Sequence, residues 1–581
     1  MKRSRRLQLA GAILAPRRLG AAILATGLGI AAAAFLAPDA AAADPPGPTF
    51  ATSNNSSDPH AFKCRRSGGV EGYCMVTSQD LFEGPFDVDG PGENYYPMSQ
   101  TMGYFSPDGL NWTASAVALT EATIGRSGTK HLWAPAVRRV KNPVGPINPQ
   151  DYYLYTPDLT NKNDKYSSKI FVTSSTDPIS GYGNANIPNN TVKVKQIAGV
   201  GYMSDPEVFV DGSDPTTTST AGQYLLWADG DKDSCGGMSL RHMSSHTALD
   251  AGFTDPSQAW LSIGGPLEAD MGNCVKEKVG GGGGGVGTEV HRPYLEGGSI
   301  FKTSNWQSSL NHSLPGPYVM VFAAKPEFTP AVCQQPGQPN SELSVIAYAT
   351  AGSVTGPWTY QGIIMCGSDS EWTNQATIEE VKEASGRAHL VLVYHDGVNT
   401  DSRNRKLRSE CLVTDARGKF LLTSRSAEGA ASTSGTPGWC MAQNKTNLVA
   451  LKSVGTNQYV SSPGATSQLR ATGSYIGLWE QFGLNTGDQV PFYYLLSRNP
   501  GNQWVQVNRN DGNKVMTRGA AAGDWEGIRP VQAVGQPATT YNLKDSAGNF
   551  WHVNSDGNIT ASPGTPSSGD TGAQFRFEYL W

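Results

Sequence analysis

At 581 residues the chain is too long for one ordinary hydrophobic core, and two or three domains are expected. Charged residues make up only 16% and the formal net charge is −5, which excludes the basic field that nucleic acid would need as main partner. Gly 67 and Pro 37, together with 13 Trp, 22 Tyr and 18 Phe, predict many short strands joined by tight turns, with aromatic surfaces suited to neutral polar ligands such as sugars.

The first residues read as an export signal. Lys2, Arg3, Arg5, Arg6, Arg17 and Arg18 precede an apolar Leu19–Leu36 region, and Ala41-Ala42-Ala43 before Asp44 has the small side chains of a cleavage site. Ser4-Arg5-Arg6-Leu7 loosely follows a twin-arginine pattern. An uncleaved anchor is the alternative, because the apolar run is near spanning length. The expectation is a signal peptide over 1–43 and a secreted, extracellular protein with no membrane contact after cleavage. Eight cysteines fit that compartment and fall as sequence neighbours, Cys64/Cys74, Cys235/Cys274, Cys333/Cys366 and Cys411/Cys440. This pairing is one of 105 connectivities. No CxxC or HExxH spacing points to zinc or thiol chemistry.

After a leader over 44–57 expected to be disordered, a unit of motif, turn and aromatic-rich strand recurs. Asp58-Pro59 leads into Gly72–Thr77 and then Tyr104–Trp112. Trp133-Ala134-Pro135 leads into Asp151–Thr156 and Lys169–Thr173. Ser204-Asp205-Pro206-Glu207 leads into Gln223–Ala228. Glu296-Gly297-Gly298 opens a strand-like run to Lys302, followed by Tyr318–Lys325 and Leu343–Tyr348. Thr377–Val381 and His389–His395 make the fifth copy. No single unit can bury its sheet, whereas five packed around an axis cover each other's faces, so a five-bladed β-propeller is predicted over 58–423. A β-sandwich is the competing fold, but it leaves the recurrence unexplained. Thr216–Thr220 reads as an inserted polar loop. The glycine run Gly280–Gly285 reads as a surface loop, with a lid over the pocket as the sharper alternative.

A Ser/Ala/Gly/Thr-rich linker over 424–444 separates this unit from three related segments over 445–581. Each of these holds about 45 residues and four short strands, and together they predict a β-trefoil. The fold class is therefore all-β, a five-bladed propeller followed by a trefoil.

In its motif order the first unit resembles glycoside hydrolase family 43, inverting enzymes on a five-bladed propeller. The resemblance covers about Asp58 to Asp415 and includes Tyr394-His395 and Arg408 in the last blade. It implies that Asp58 is the general base activating water, Glu296 the general acid on the leaving oxygen, and Asp205 the carboxylate that orients the acid and raises its pKa. Chemistry independently asks for one ionised and one protonated carboxyl group on opposite faces of the sugar, held roughly 6.5–9.5 Å apart for inversion. Trp133 reads as blade core or sugar-stacking wall. His395 and Arg408 read as core or pocket residues, and the resemblance favours the substrate pocket. Glu207 is a weaker competitor for the role of Asp205, and Asp211 and Asp229 fit turns.

The chain departs from the family at three places. Ser57 stands where a histidine often precedes the first Asp-Pro, and Gly297-Gly298 stands where a proline is frequent. Gln375 stands where a histidine helps some members hold a central metal ion, which argues against a bound calcium. No cofactor is required by this chemistry. The second unit resembles fascin-like or ricin-like trefoils used as carbohydrate-binding modules, with Trp479, Trp504, Trp525 and Trp551 as core or stacking residues. The whole implies a monomeric, secreted inverting glycosidase acting on arabinofuranosyl or xylosyl linkages of a plant-type polysaccharide or oligosaccharide. The alternatives are a non-catalytic sugar-binding protein and a retaining fructan hydrolase. The latter would carry Arg-Asp-Pro where this chain has Ser204-Asp205-Pro206.

Overall fold

The computed structural model describes residues 56–580 apart from 67, 81–97, 126–130, 142–149, 161–166, 184–194, 198–201, 213–220, 229–236, 251–260, 266–293, 307–315, 327–329, 334–343, 368–374, 383–387, 398–404, 416, 424–445, 465, 487–492, 499–502 and 520–524. The signal region, the loops 216–220 and 280–285, the linker, Asp229, and Cys235, Cys274 and Cys440 lie outside the described residues. No helix among the described residues is long and apolar enough to cross a membrane.

Five antiparallel sheets follow one another along the described chain. The first holds β1 (Ser56–Arg65), β2 (Glu71–Gln79), β3 (Gln100–Ser106) and β4 (Thr113–Thr120), paired in that order. The second holds β5 (Ala136–Lys141), β6 (Gln150–Leu159), β7 (Ser168–Ser175) and β8 (Lys195–Gln196). The third holds β9 (Ser204–Val210), β10 (Gln223–Ala228), β11 (Met238–Ser245) and β12 (Ala248–Leu249). In the fourth, β13 (Ile263–Gly264) joins, in parallel, the outer edge of β14 (Tyr294–Lys302), β15 (Tyr318–Lys325), β16 (Val345–Ala351) and β17 (Trp358–Cys366). The fifth is β18 (Ala376–Lys382), β19 (Ala388–Gly397) and β20 (Arg405–Cys411). The first strand of each sheet touches the first strand of the next, and β18 returns to β1, so five inner strands surround one axis. This is a five-bladed β-propeller. β1 begins at Ser56, so Ser56 and Ser57, expected to belong to a disordered leader, are buried residues of the first inner strand.

Alternation along each strand sends apolar side chains to both faces, and the faces of neighbouring blades meet in five separate cores. Phe62 and Val76 pack on Val137 and Leu154, and Val172 and Tyr155 on Leu225 and Trp227. Leu226 and Met238 pack on Ile300 and Met320, and Val319 and Tyr348 on Ile378 and Leu392. The last core closes the ring, with Val391, Val393 and Leu407 of the fifth blade against Met75, Tyr104 and Trp112 of the first. Each fully buried side chain of this size stabilises the fold by about 1.5–3 kcal/mol relative to exposure. Disulfides join Cys64 to Cys74 and Cys333 to Cys366, as the neighbour pairing predicted. Cys411 is also disulfide-bonded.

Three of the inner strands carry the same irregularity. In β1, Asp58 and Pro59 together oppose the single residue Thr77; in β9, Asp205 and Pro206 oppose Trp227; in β14, Gly297 and Gly298 oppose Phe322. The first residue of each pair has positive φ, at 52° for Asp58, 46° for Asp205 and 58° for Gly297. Ala134, before Pro135 at the entry to β5, has φ 33°. The three opposed pairs are β-bulges built on a left-handed residue, and a bulge leaves its extra residue out of the ladder, which is why proline is tolerated inside an inner strand.

The C-terminal unit begins with β21 (Thr446–Ser453), β22 (Tyr459–Ser461), β23 (Arg470–Gly473) and β24 (Phe482–Thr486). It continues with β25 (Tyr493–Ser497), β26 (Trp504–Asn508), β27 (Lys514–Gly519) and β28 (Gly527–Gln532). The last four are β29 (Thr540–Asp545), β30 (Phe550–Val553), β31 (Ile559–Ser562) and β32 (Gln574–Leu580). The pairings β21–β24, β24–β25, β25–β28, β28–β29, β29–β32 and β32–β21 close a six-stranded ring. The hairpins β22–β23, β26–β27 and β30–β31 are the remaining two strands of each of three repeats, joined to one another by bridges. Val449, Leu451, Leu495, Leu543 and Trp551 fill its core. Of the four tryptophans singled out here, Trp551 is core; Trp479 packs against the cluster shared by the third and fourth blades.

This unit is docked on the propeller. Val413 and Leu421, in the segment leaving the last blade, pack on Leu448, Ala450 and Leu580, with Tyr459 and Ile476 at the edge. Gln481 Nε2 donates to the Leu422 carbonyl at 3.2 Å, and Arg498 Nη1 donates to Gln481 Oε1 at 2.7 Å. Burial pulls the Arg498 guanidinium down to about 10, against the attraction of Glu410 on β20.

Candidate active site

The bulges bring the three sequence-predicted acids to one end of the ring of inner strands. Asp58 and Asp205 are themselves the left-handed residues, and Glu296 directly precedes the third. Asp58 and Glu296 are buried, 6% and 8% exposed, and Asp205 is partly so. The Gly297 amide, next to Glu296, donates to the Asp205 carboxylate, and the charges of Asp58 and Asp205 sense one another.

Asp58 is heavily supported. Its amide nitrogen lies 3.0 Å from His395 Nδ1, and the same ring nitrogen lies 3.4 Å from Asp58 Oδ1. Ser57 Oγ donates to its Oδ2 at 3.2 Å, and Ser78 adds a second hydroxyl bond while accepting the Ala134 amide at 2.7 Å. Arg405 Nη1 reaches Oδ1 at 3.3 Å. Burial opposes ionisation of Asp58, but the charges of Arg405 and His395 with the two hydroxyls outweigh it and hold the carboxyl below its ordinary value. Asp205 goes the other way. Burial and the negative charge of Asp58 push it up to about 7, against hydrogen bonds from Ser204 and the Gly297 amide and the attraction of Arg405. Two carboxyl groups in one site are thus driven apart, one towards base and one towards acid.

Further along the channel, His60 Nε2 pairs with Glu207 Oε2 at 2.9 Å, and its Nδ1 accepts the Val137 amide at 3.3 Å. Glu207, the competitor for the Asp205 role, is therefore engaged by the His60 ring two residues further along β9. Burial pushes Glu379 up to about 8 despite the nearby Lys63. Asp211 lies at the far end of β9, held by Lys302 Nζ at 2.8 Å and Tyr318 hydroxyl at 2.7 Å. Among the described residues no group of three or more His, Cys, Asp or Glu is arranged to hold a metal ion. Gln375 packs its side chain against Gly297, where an added Cβ would lie 2.8 Å from Gln375 Cγ.

The remaining predicted residues fare differently. Trp133 is half-buried at the same end, stacked on His131 with ring centroids 3.6 Å apart. His395, expected in the substrate pocket, is fully buried behind Asp58 and supports it. Arg408, expected there too, pairs with Asp396 at 2.8 Å. The arginine that reaches the carboxylates is Arg405. Three residues apart on one strand, the two side chains lie on opposite faces of β20. Arg405 in turn is held by Asp80 at the end of β2, through Nε–Oδ2 at 3.0 Å and Nη2–Oδ1 at 2.7 Å. Neither Arg405 nor Asp80 was found from the sequence.

Fold and site together define a five-bladed propeller whose channel end carries one acid held below its ordinary pKa, one pushed above it, and a third carboxyl residue beside them. No family model matches the chain, and no curated protein matches it. Among solved structures it is similar to a family-43 β-xylosidase/α-arabinofuranosidase from a compost microbial metagenome, at 18% identity and TM-score 0.41, over 65% of this chain and 97% of that one. It is similar at 18% identity and TM-score 0.41 to a family-43 enzyme from Xanthomonas citri, over 66% of this chain and 96% of the other. An exo-β-1,3-galactanase from Clostridium thermocellum aligns over 90% of this chain and 95% of its own, at 11% identity and TM-score 0.36. All three TM-scores are below 0.5, so the fold stands on the strand pairings and not on these neighbours.

Proposed function

We propose that the chain is a secreted, inverting glycoside hydrolase of the family-43 type, cleaving arabinofuranosyl or xylosyl linkages of a plant-type polysaccharide or its oligosaccharides. The observation that carries this reading is the opposed state of Asp58 and Asp205 at one channel end beside Glu296. Asp58, kept ionised by Arg405 and His395, takes a proton from the water that attacks the anomeric carbon. Glu296 gives a proton to the leaving glycosidic oxygen. Asp205 anchors the strand of Glu296 through the Gly297 amide, and its own carboxyl, pushed up to about 7, keeps a proton at this end of the channel up to neutral pH. A well-placed acid or base is typically worth about 10²–10⁴ in rate. Trp133 supplies a flat apolar face at the mouth on which a sugar ring can stack.

The C-terminal unit we read as a β-trefoil, on its closed six-strand ring and three hairpins, and as a carbohydrate-binding module. Disulfides at Cys64–Cys74 and Cys333–Cys366 support an oxidising, extracellular location. The test is incubation of the full chain with arabinan, arabinoxylan and galactan, following product anomers by NMR. Release of sugar with inverted configuration is expected. Retained configuration would refute the mechanism, and no release from any substrate would refute the activity.

A further inference from the structure

Asp58 and Arg405 come from the first and last blades, and the seam between those blades is where the ring closes. On the first blade stand Ser57, Asp58, Ser78 and Asp80; on the last stand His395 and Arg405. Arg405 spends the edge formed by Nε and Nη2 on Asp80, at 3.0 and 2.7 Å, and its own amide also donates to Asp80 Oδ2 at 3.3 Å. Its Nη1 reaches Asp58 at the longer distance of 3.3 Å. Ser57 Oγ lies within reach of both acids, 3.2 Å from Asp58 Oδ2 and 3.1 Å from Asp80 Oδ1. Asp80 is 4% exposed and Arg405 2%, so no solvent competes for these contacts.

A guanidinium prefers to meet a carboxylate through two parallel N–H bonds. Deprived of Asp80, Arg405 still touches the buried Asp58 among the described residues, and a two-pronged pair with it would neutralise the general base. We propose that Asp80 is a positioning residue for the reaction, holding the fork of Arg405 away from Asp58 so that Asp58 keeps a basic, water-facing oxygen. This rests on the hydrolase reading of the site. The groups facing Asp58 are Arg405 from β20, His395 from β19, Asp80 from β2 and Asp205 from β9. The coupling is reciprocal: the charge of Asp58 raises Asp80, so removing the charge of Asp80 lowers Asp58.

The test is Asp80→Asn in the full chain, read by the pH dependence of kcat/KM, whose acidic limb reports the free-enzyme base. The limb is expected to move to lower pH by about one unit and the plateau to fall about tenfold, with kcat falling more than KM changes. A plateau that falls with the limb unmoved, or a limb moved upward, means Asp80 merely closes the ring, and overturns the proposal. If Asp80→Asn does not fold, Asp80→Glu takes its place: it keeps the charge, so a limb that stays put with a lowered plateau overturns the proposal, and a smaller downward displacement supports it. A crystal structure of the same variant reads the proposal without turnover. Arg405 is expected to turn both Nε and Nη onto Asp58, and a guanidinium left in place overturns it. Wild-type protein inactive on every substrate would instead count against the hydrolase reading.

Discussion

Replacing Asp205 by Asn separates its chemistry from its structural role. The amide keeps an oxygen for the Gly297 N–H and tolerates the left-handed backbone at φ 46°. In the wild type the carboxyl stands at about 7 instead of its ordinary 3.8, raised first by burial and then by Asp58. The folded protein thus holds a proton between about pH 4 and 7 that the unfolded chain releases, so wild-type stability falls as pH rises through that window. Three pKa units correspond to about 4 kcal/mol, and relaxation around the ionised group reduces this to about 2–4 kcal/mol. Asn carries no such cost. Its Tm should match or trail wild type at pH 4 and exceed it by about 2–4 °C at pH 8, at roughly 1 °C per kcal/mol for a unit this large. Activity should fall about 10²-fold, because Glu296 loses the carboxyl that stands beside it. Differential scanning calorimetry from pH 4 to 8 measures the first effect and the pH–rate profile the second. A Tm difference that stays constant across this range would refute the electrostatic account of Asp205.

Glu296→Gln and Asp58→Asn should each lower kcat by about 10²–10⁴ with an unchanged circular dichroism spectrum; near-wild-type turnover in either removes that residue from the mechanism. Gly297→Ala should cost about 1–2 kcal/mol in urea unfolding, because it puts a Cβ on a left-handed residue and against Gln375. An unchanged midpoint would show that the bulge can relax. Ending the chain at Thr423 uncovers Val413 and Leu421 and removes Trp479 from the third and fourth blades. The propeller Tm should drop by several degrees, and a Tm within 1 °C of the full chain would mean that docking contributes nothing to the propeller.

How much could be read from the chain depended on whether a residue announces its backbone. Asp58, Asp205 and Glu296 stand at or beside Asp-Pro and Glu-Gly-Gly, and these are the bulges, so sequence punctuation and chemistry coincide. The inner strands were legible for the same reason. Asp80 and Arg405 have no such mark. They are ordinary residues at strand ends, 325 positions apart, and meet only because the fifth blade closes on the first. Arg408 was favoured by motif order, but motif order does not give strand phase, and a three-residue offset puts it on the face opposite Arg405, where it meets Asp396. For His395 the sequence left core and pocket open, since it shows proximity in a motif and not burial behind it. The Cys64–Cys74 hairpin, a contact local in sequence, was legible outright.

The left-handed kink recurs in the second blade at Ala134, where no acid is present. Three blades carry the bulge and the second carries a left-handed residue ahead of its inner strand, so four blades place positive φ at this end of the axis, and three of them bring an acid there. Side chains can be exchanged at such positions without asking the backbone to move, provided the newcomer tolerates positive φ, as Asp, Asn and Gly do. A lineage built on this ring could thus lose, relocate or add an acid by single substitutions, with Ala134 as an open station. The propeller would diversify its chemistry at fixed addresses while its five inter-blade cores stay as they are.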